Sequence, residues 1–176
     1  TQNDVRDFSR LPGFFDIIVV DAPCSGEGLF RKQPDAIDEW SLDNVNHCSA
    51  RQTKILDDVY EALKENGYLV YCTCTYEKSE NEIQIERMIV QYKMELVDLV
   101  VNDEGIRKVN PGLRFYPHLI KGEGFFVSVL KKTEASSVLV TSRNKPKKEE
   151  SFAEIQQYLA NAEHFFPYRK DNDWYA

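Results

Sequence analysis

Glycine is scarce in this chain, with 8 among 176 residues, and only Gly13 precedes Asp21. Cysteine is scarce too: the four thiols stand at 24, 48, 72 and 74. They form no C-x-x-C pair and are too few for a disulfide scaffold, so a reducing cytoplasm is the expected setting. Long apolar runs are missing. The longest stretches resemble Ile17 to Val20, far short of the ~20 residues needed to span a bilayer, so no membrane span is expected. A basic segment followed by an apolar one is absent from the start, so no signal peptide is expected either. Positive charge is in deficit: Lys+Arg number 22 against 29 Asp+Glu, a net charge of -7. That argues mildly against nucleic acid as a partner, although a local basic groove on an acidic body is compatible with it. A composition that is 42% hydrophobic and 12% aromatic excludes disorder for the bulk of the chain.

Residues 15 to 23, FDIIVVDAP, contain a continuous β-branched run and read as a strand covered on both faces. Pro34 suits the first turn of a short helix in PDAIDEW. A longer helix is expected over about 49 to 65, with Ile55, Val59, Ala62 and Leu63 on one stripe and Asn66-Gly67 as its stop. Tyr68 to Thr73 reads as a second strand. Ser79 to Glu82 has the S-x-x-E form of a capping box, opening a helix with Ile85, Met88, Ile89 and Tyr92 on one face. A third strand is expected near Leu96 to Val101, a polar turn-rich stretch over 113 to 124, and a fourth strand from Phe125 to Leu130. This order defines an α/β sheet with crossover connections. The chemistry of such sheets lies beyond the carboxyl ends of the strands. The loops 21 to 28 and 73 to 79 satisfy that condition. Residues 134 to 150 read as a linker and 151 to 176 as the start of a further region, with a short helical pattern at Phe152, Ile155, Tyr158 and Leu159.

In the first loop, DAPCSGEG, Asp21 ends a strand, Cys24 follows a proline, and Gly26 and Gly28 admit close backbone approach. A tight turn with a buried cysteine explains it about equally well. In the second, CTCTY, Cys72 belongs to the strand and reads as core. Cys74 lies between a strand end and a helix start, a place that favours the thiolate. Together the loops make a candidate two-thiol site. A metal or redox centre built from His47, Cys48, Cys72 and Cys74 is a remote alternative, because the spacing is not that of a zinc site.

The segments DAPCSGEGLFRKQP (21 to 34), GYLVYCTCTYEKSENE (67 to 82) and RFYPHLIKGEGFFVSVLKK (114 to 132) resemble, in order and separation, the RNA cytosine-C5 methyltransferases of the NOP/NOL/Sun family. Their SGEG and GEGFF forms look most like its bacterial 16S rRNA members. The resemblance covers residues 1 to 133. It implies the second half of a Rossmann-like methyltransferase fold, S-adenosylmethionine as cofactor, and RNA, with 16S rRNA first, as partner. By resemblance, Cys74 is the nucleophile that adds to cytosine carbon 6, and a thiolate suits that step because it both attacks and leaves readily. Cys24 assists release of the methylated product. Asp21 contacts the cytosine edge and also the cofactor, and Asp4 contacts the cofactor adenine, with an ordinary loop carboxylate as an equal reading. Arg31 and Lys32 would meet phosphate. His118 is expected to be structural.

The family's glycine-rich cofactor loop and ribose-binding acid lie upstream of the cytosine-binding motif, and only twenty residues precede Asp21 here. With Thr1 in first place, the expectation is a piece of a longer enzyme, inactive alone. A non-catalytic RNA- or protein-binding piece is the competing class. The strand at Ile17 to Val20 would then have an open edge, which predicts a homodimer or a swapped assembly.

Overall fold

A computed structural model describes residues 3–135, 168–170 and 173–175. The chain divides into two units, Thr1–Val140 and Thr141–Ala176. In the first unit, β1 (Phe15–Asp21), α1 (Asp35–Glu39), α2 (Leu42–Tyr60), β2 (Leu63–Thr73) and α3 (Glu82–Tyr92) follow one another. After them come β3 (Glu95–Leu96), β4 (Ile106–Val109), β5 (Gly112–Phe115) and β6 (Phe125–Lys131). The sheet order is β1-β2-β6-β5-β4, with β3 also pairing with β6. β1 and β2 are parallel, and β6 runs antiparallel to β2, β3 and β5. In the second unit the described residues form an antiparallel hairpin of β7 (Tyr168–Lys170) and β8 (Asp173–Tyr175). The linker and the short helical pattern expected over 134 to 159 lie almost wholly outside the described residues.

The expected mixed α/β sheet is present, with several differences in detail. The long helix starts seven residues earlier than its apolar stripe suggests, because Ser41 caps it by accepting a hydrogen bond from the Asn44 amide. It ends at Tyr60. Asn66-Gly67 is therefore a kink inside β2 and not a helix stop: Asn66 has φ 63, and the β1–β2 register shifts between Phe15↔Leu63 and Ile17↔Tyr68. The strand expected over Leu96 to Val101 is only the pair Glu95–Leu96.

The capping box is not formed. Asn81 occupies the N-cap of α3 with no side-chain cap bond, and Glu82 turns instead to Arg114. Arg114 belongs to the β4–β5 hairpin, whose second strand runs into the stretch from 113 onward that reads as turn-rich in sequence. β5 presents Leu113 and Arg114 as buried neighbours.

Leu56, Leu63, Leu69, Tyr71, Ile85, Met88, Phe126 and Leu130 are almost fully buried between the sheet, α2 and α3. Each such side chain contributes roughly 1.5–3 kcal/mol relative to exposure. Lys132 is also fully buried. Its ammonium donates to the Tyr60 and Leu63 carbonyls at 2.9 and 3.0 Å and lies 4.0 Å above the Tyr60 ring, a cation placed at the C-terminal end of α2. Among the described strands β1 is an edge, with Ile17 60% and Val19 63% exposed. No helix among the described residues is long and apolar enough to cross a membrane.

The Glu82–Arg114 pair is bidentate, 2.7 Å on both arms, with side chains 11% and 6% exposed. Removing one member leaves a buried charge unpaired. Glu82→Ala is expected to cost about 3–5 kcal/mol. Urea unfolding of the chain checks this, and a loss below about 1 kcal/mol would show that the guanidinium finds other partners.

Candidate active site

β1 and β2 run side by side in the same direction, so their carboxyl ends deliver two loops to one place. Asp21 pairs in register with Cys72, and two residues further along β2 the chain reaches Cys74. The Ala22 amide donates to the Cys72 carbonyl at 2.9 Å, which carries the pairing one step past β1. Cys24 and Cys74, fifty residues apart, then stand with their sulfurs 3.0 Å from each other. The Cys74 amide also donates to the Cys24 sulfur at 3.2 Å.

The two thiols titrate in opposite directions. Hydrogen-bond donation from Cys24 holds the Cys74 thiol below its ordinary pKa, although burial and the carboxylates of Asp21 and Glu80 oppose this. Cys24, as the donor, is pushed up, first by that bond to Cys74 and then by burial. The contact therefore favours the thiolate on Cys74 and the thiol on Cys24. Cys72 behaves as expected of a strand residue. It is buried, its thiol lies 3.5 Å from the Val20 carbonyl, and burial pushes its pKa up to about 11.

Asp21, Leu29 and Cys74 stand in the walls of two cavities. One, of about 750 Å³, runs along the apolar side of β1 past Phe8, Ile18 and Ile55 and includes Cys24 and Arg51. The other, of about 770 Å³, lies against Arg31, Lys32, Phe115 and Gly122. Asp4 lines neither. It caps the 3-10 turn Val5–Arg10, accepting from the Arg6 amide and guanidinium at 3.0 Å, and that guanidinium holds its carboxyl down at about 2. Arg31 donates to the Pro117 and Gly122 carbonyls, and Lys32 pairs with Glu123 at 2.8 Å, so both cations fasten the loop between β5 and β6. The His118 ring packs on Tyr116, which stacks on Tyr76.

The three sequence segments singled out above meet in space through backbone. The Gly28 amide donates to the Cys74 carbonyl at 2.8 Å, and its own carbonyl accepts from the Gly124 amide at 3.1 Å. A Cβ on Gly28 would collide with the Gly124 carbonyl and lie 2.9 Å from that of Cys74. Glu27 accepts from the Tyr76 amide at 2.9 Å and from the Thr75 hydroxyl at 3.2 Å.

Sequence reasoning passed over the residues beneath the thiols. Glu80 and Asn81 are both fully buried, as is Gln52. The Glu80 carboxylate accepts from the Ser25 amide (3.0 Å), the Ser25 hydroxyl (2.5 Å) and the Gln52 amide (2.8 Å). No periodic signal marks them. The one available hint was a carboxylate directly before the predicted helix, which the capping-box reading absorbed. Among the described residues no three His, Cys, Asp or Glu side chains group as they would around a metal ion.

The parallel strand pair, with two thiols and a carboxylate at the mouths of two cavities, belongs to an α/β fold of the Rossmann-like methyltransferase class. Residues 1–131 match the family model described as 16S rRNA methyltransferase RsmB/F, and the chain belongs to that family. Curated relatives include ribosomal RNA small subunit methyltransferase F of Escherichia coli O157:H7, 37% identical over 174 residues, which cover 92% of this chain and 36% of the relative. The protein of that name from Psychromonas ingrahamii is 36% identical over 144 residues, covering 78% of this chain and 30% of its own length. The chain thus spans about a third of the length of these curated relatives. Among solved structures, NSun6 from Pyrococcus horikoshii with SFG superposes with a TM-score of 0.66 at 30% identity, over 76% of this chain and 34% of that one. A methyltransferase homolog from the same organism gives 0.61 at 28% identity, over 74% and 43%.

Alkylation tests the polarity of the thiol pair, since only the thiolate reacts. In the wild-type chain, Cys74 should reach half-maximal reaction with iodoacetamide below the ordinary thiol pH of about 8.5. In Cys24→Ala the donor is gone, while burial, Asp21 and Glu80 remain to raise the pKa. The midpoint should therefore move upward. Peptide mass spectrometry across a pH series reads both midpoints, and an unmoved or lowered midpoint in the variant would refute the assignment.

Proposed function

We propose that this chain carries the thiol-bearing part of an S-adenosylmethionine-dependent enzyme that methylates carbon 5 of cytosine in 16S rRNA. The observation that carries the reading is the Cys24–Cys74 pair, 3.0 Å apart at the ends of adjacent parallel strands, beside a carboxylate shared by two cavities. Two cavities meeting at Cys74 suit a reaction between two ligands. The apolar one along β1 fits the cofactor, and the one beside Arg31 and Lys32 fits a base turned out of its stack. The names of the curated relatives support the substrate class, and the ligand-bound neighbour supports a cofactor site in this fold.

Cytosine carbon 5 is a weak nucleophile. Addition of the Cys74 thiolate to carbon 6 forms a C–S bond and moves the ring electrons toward carbon 5, which can then accept a methyl group. S-adenosylmethionine supplies that methyl group as an electrophile when bound. Asp21 would hydrogen-bond the N3/N4 edge and hold charge during attack. Once the adduct has formed, Cys24 gives its own proton to solvent; its thiolate then takes the proton from carbon 5, the C5–H electron pair restores the C5–C6 double bond, and the C6–S electron pair returns to Cys74.

Arg31 and Lys32 already have protein partners. Their proposed contact with phosphate therefore reuses head groups that also anchor the loop between β5 and β6. Asp4 would meet the cofactor adenine only by leaving Arg6. The 176 residues contain no glycine-rich loop that would cradle the cofactor, so this chain alone should bind S-adenosylmethionine weakly. Calorimetry checks that, and micromolar binding would contradict it.

The roles of the thiols separate in the full-length protein. Cys74→Ala should abolish methylation and form no covalent RNA complex. Cys24→Ala should still attack and transfer methyl, then stall, leaving a slow-migrating protein–RNA band on a denaturing gel. Two packing cysteines would instead give a modest stability loss in both variants and no band. Normal turnover by Cys24→Ala, or a trapped band from Cys74→Ala, would overturn the assignment.

A further inference from the structure

We propose that the adjacent residues Glu80 and Asn81 are the positioning residues of the reaction, Glu80 setting Cys24 for product release and Asn81 setting Cys74 for attack. This rests on the roles given to the two thiols above.

Glu80 secures both neighbours of Cys24. It holds Ser25 through amide and hydroxyl at 3.0 and 2.5 Å. It also anchors the Gln52 amide at 2.8 Å, and Gln52 in turn donates to the Pro23 carbonyl at 2.9 Å. Asn81 does the same for Cys74. Its side-chain oxygen accepts from the Thr73 hydroxyl at 2.6 Å, and its side-chain nitrogen donates to the Thr75 carbonyl at 2.9 Å. Asn81 thus holds both flanks of Cys74 directly, Glu80 holds one flank of Cys24 directly and the other through Gln52, and Glu80 and Asn81 are covalent neighbours just before α3. One peptide unit thus links the supports of the two thiol loops.

Burial makes the grip rigid. Glu80, Asn81, Gln52, Thr73 and Thr75 are 0% exposed. No cation contacts the Glu80 carboxylate in the hydrogen bonds it makes. Its three donors are neutral and converge from two separate segments, an arrangement that costs desolvation and is too elaborate for helix capping alone. The Tyr71 hydroxyl, donating to the Glu80 carbonyl at 2.6 Å, fixes the backbone at the same point.

The test uses the full-length protein, S-adenosylmethionine and a 16S rRNA transcript. A misplacement of about 1 Å can cost on the order of 100-fold in rate. Glu80→Gln keeps the size of the side chain but loses an acceptor. It should lower kcat by about 10- to 100-fold with KM for RNA unchanged, and accumulate the covalent band that Cys24→Ala gives. Ser25→Ala, which removes one donor and perturbs folding less, should do the same to a smaller degree. Asn81→Ala should accumulate no band. Placed in the Cys24→Ala background, it should slow band formation at least about tenfold.

The proposal is overturned if Glu80→Gln and Ser25→Ala lose activity without a band while Cys24→Ala gives one, or if both turn over normally. It is overturned for Asn81 if band formation in the double variant is as fast as in Cys24→Ala. If Cys24→Ala itself gives no band, the thiol roles fail first and this proposal falls with them, a result distinct from the other two.

Discussion

At Gly28 three stretches of backbone come together with no space for a side chain. Its amide reaches the Cys74 carbonyl, its carbonyl takes the Gly124 amide, and the Gly124 Cα side is in turn closed by the Tyr76 ring. Residues 28, 74 and 124 follow β1, β2 and the turn before β6, the three neighbouring strands at the centre of the site. Direct backbone pairing ties the loops more firmly than side chains would, since it adds no rotamer freedom to be lost. Everything placed on those loops inherits the fixed geometry: Cys24 and Cys74, the cations that clamp the loop between β5 and β6, and the carboxylate of Glu27 on the Tyr76 amide.

Two buried acids close together illustrate two ways of keeping a carboxylate inside a protein. Glu82 is matched by the Arg114 guanidinium, charge against charge, and this locks the β4–β5 hairpin to the start of α3. Glu80 is surrounded by neutral donors and locks the Cys24 loop to α2. The first solution ties elements together, and Arg114 also donates to the Tyr76 carbonyl at 2.8 Å. The second leaves a negative potential near Cys74 and raises its pKa, which a cation at the same place would not do. The contact with the neighbouring thiol is therefore what lowers Cys74, against burial and the local carboxylates.

The sequence made the chemistry-bearing loops legible because they combine residue types that have few other uses together: an acid at a strand end, a Pro-Cys, a glycine pair and a second cysteine before a helix. The parallel β1–β2 pair followed from β-branched runs separated by an apolar stripe. Boundaries were lost where tertiary contacts override local preference. Ser41 outweighs the stripe that suggests a later helix start, and Arg114 draws Glu82 away from its cap. The β4–β5 hairpin was illegible because one of its two buried residues is an arginine, which counts as polar in any pattern until its buried partner is known. Gln52, Glu80 and Asn81 were illegible for the same reason, since buried polar residues are defined by partners far away in the chain. Lys132 makes the case again, a lysine that a pattern assigns to the surface and the structure buries completely.

The electrostatics of the thiol pair give the proposed reaction an internal order. Before attack, the contact with Cys74 raises Cys24 and favours keeping a proton there. Once Cys74 is bonded to carbon 6 its sulfur is neutral and a poor acceptor, so both influences of Cys74 that raise Cys24 are gone. What remains to act on Cys24, besides burial, are the Cys74 and Gly26 backbone bonds, and both lower its pKa. Cys24 thus becomes able to give up its proton and serve as a base only after the adduct exists. When the C6–S bond breaks, the proton that Cys24 has taken from carbon 5 is again in position to stabilise the departing thiolate. The 3.0 Å separation serves both ends of the cycle, and the same contact that activates Cys74 for attack makes it a good leaving group.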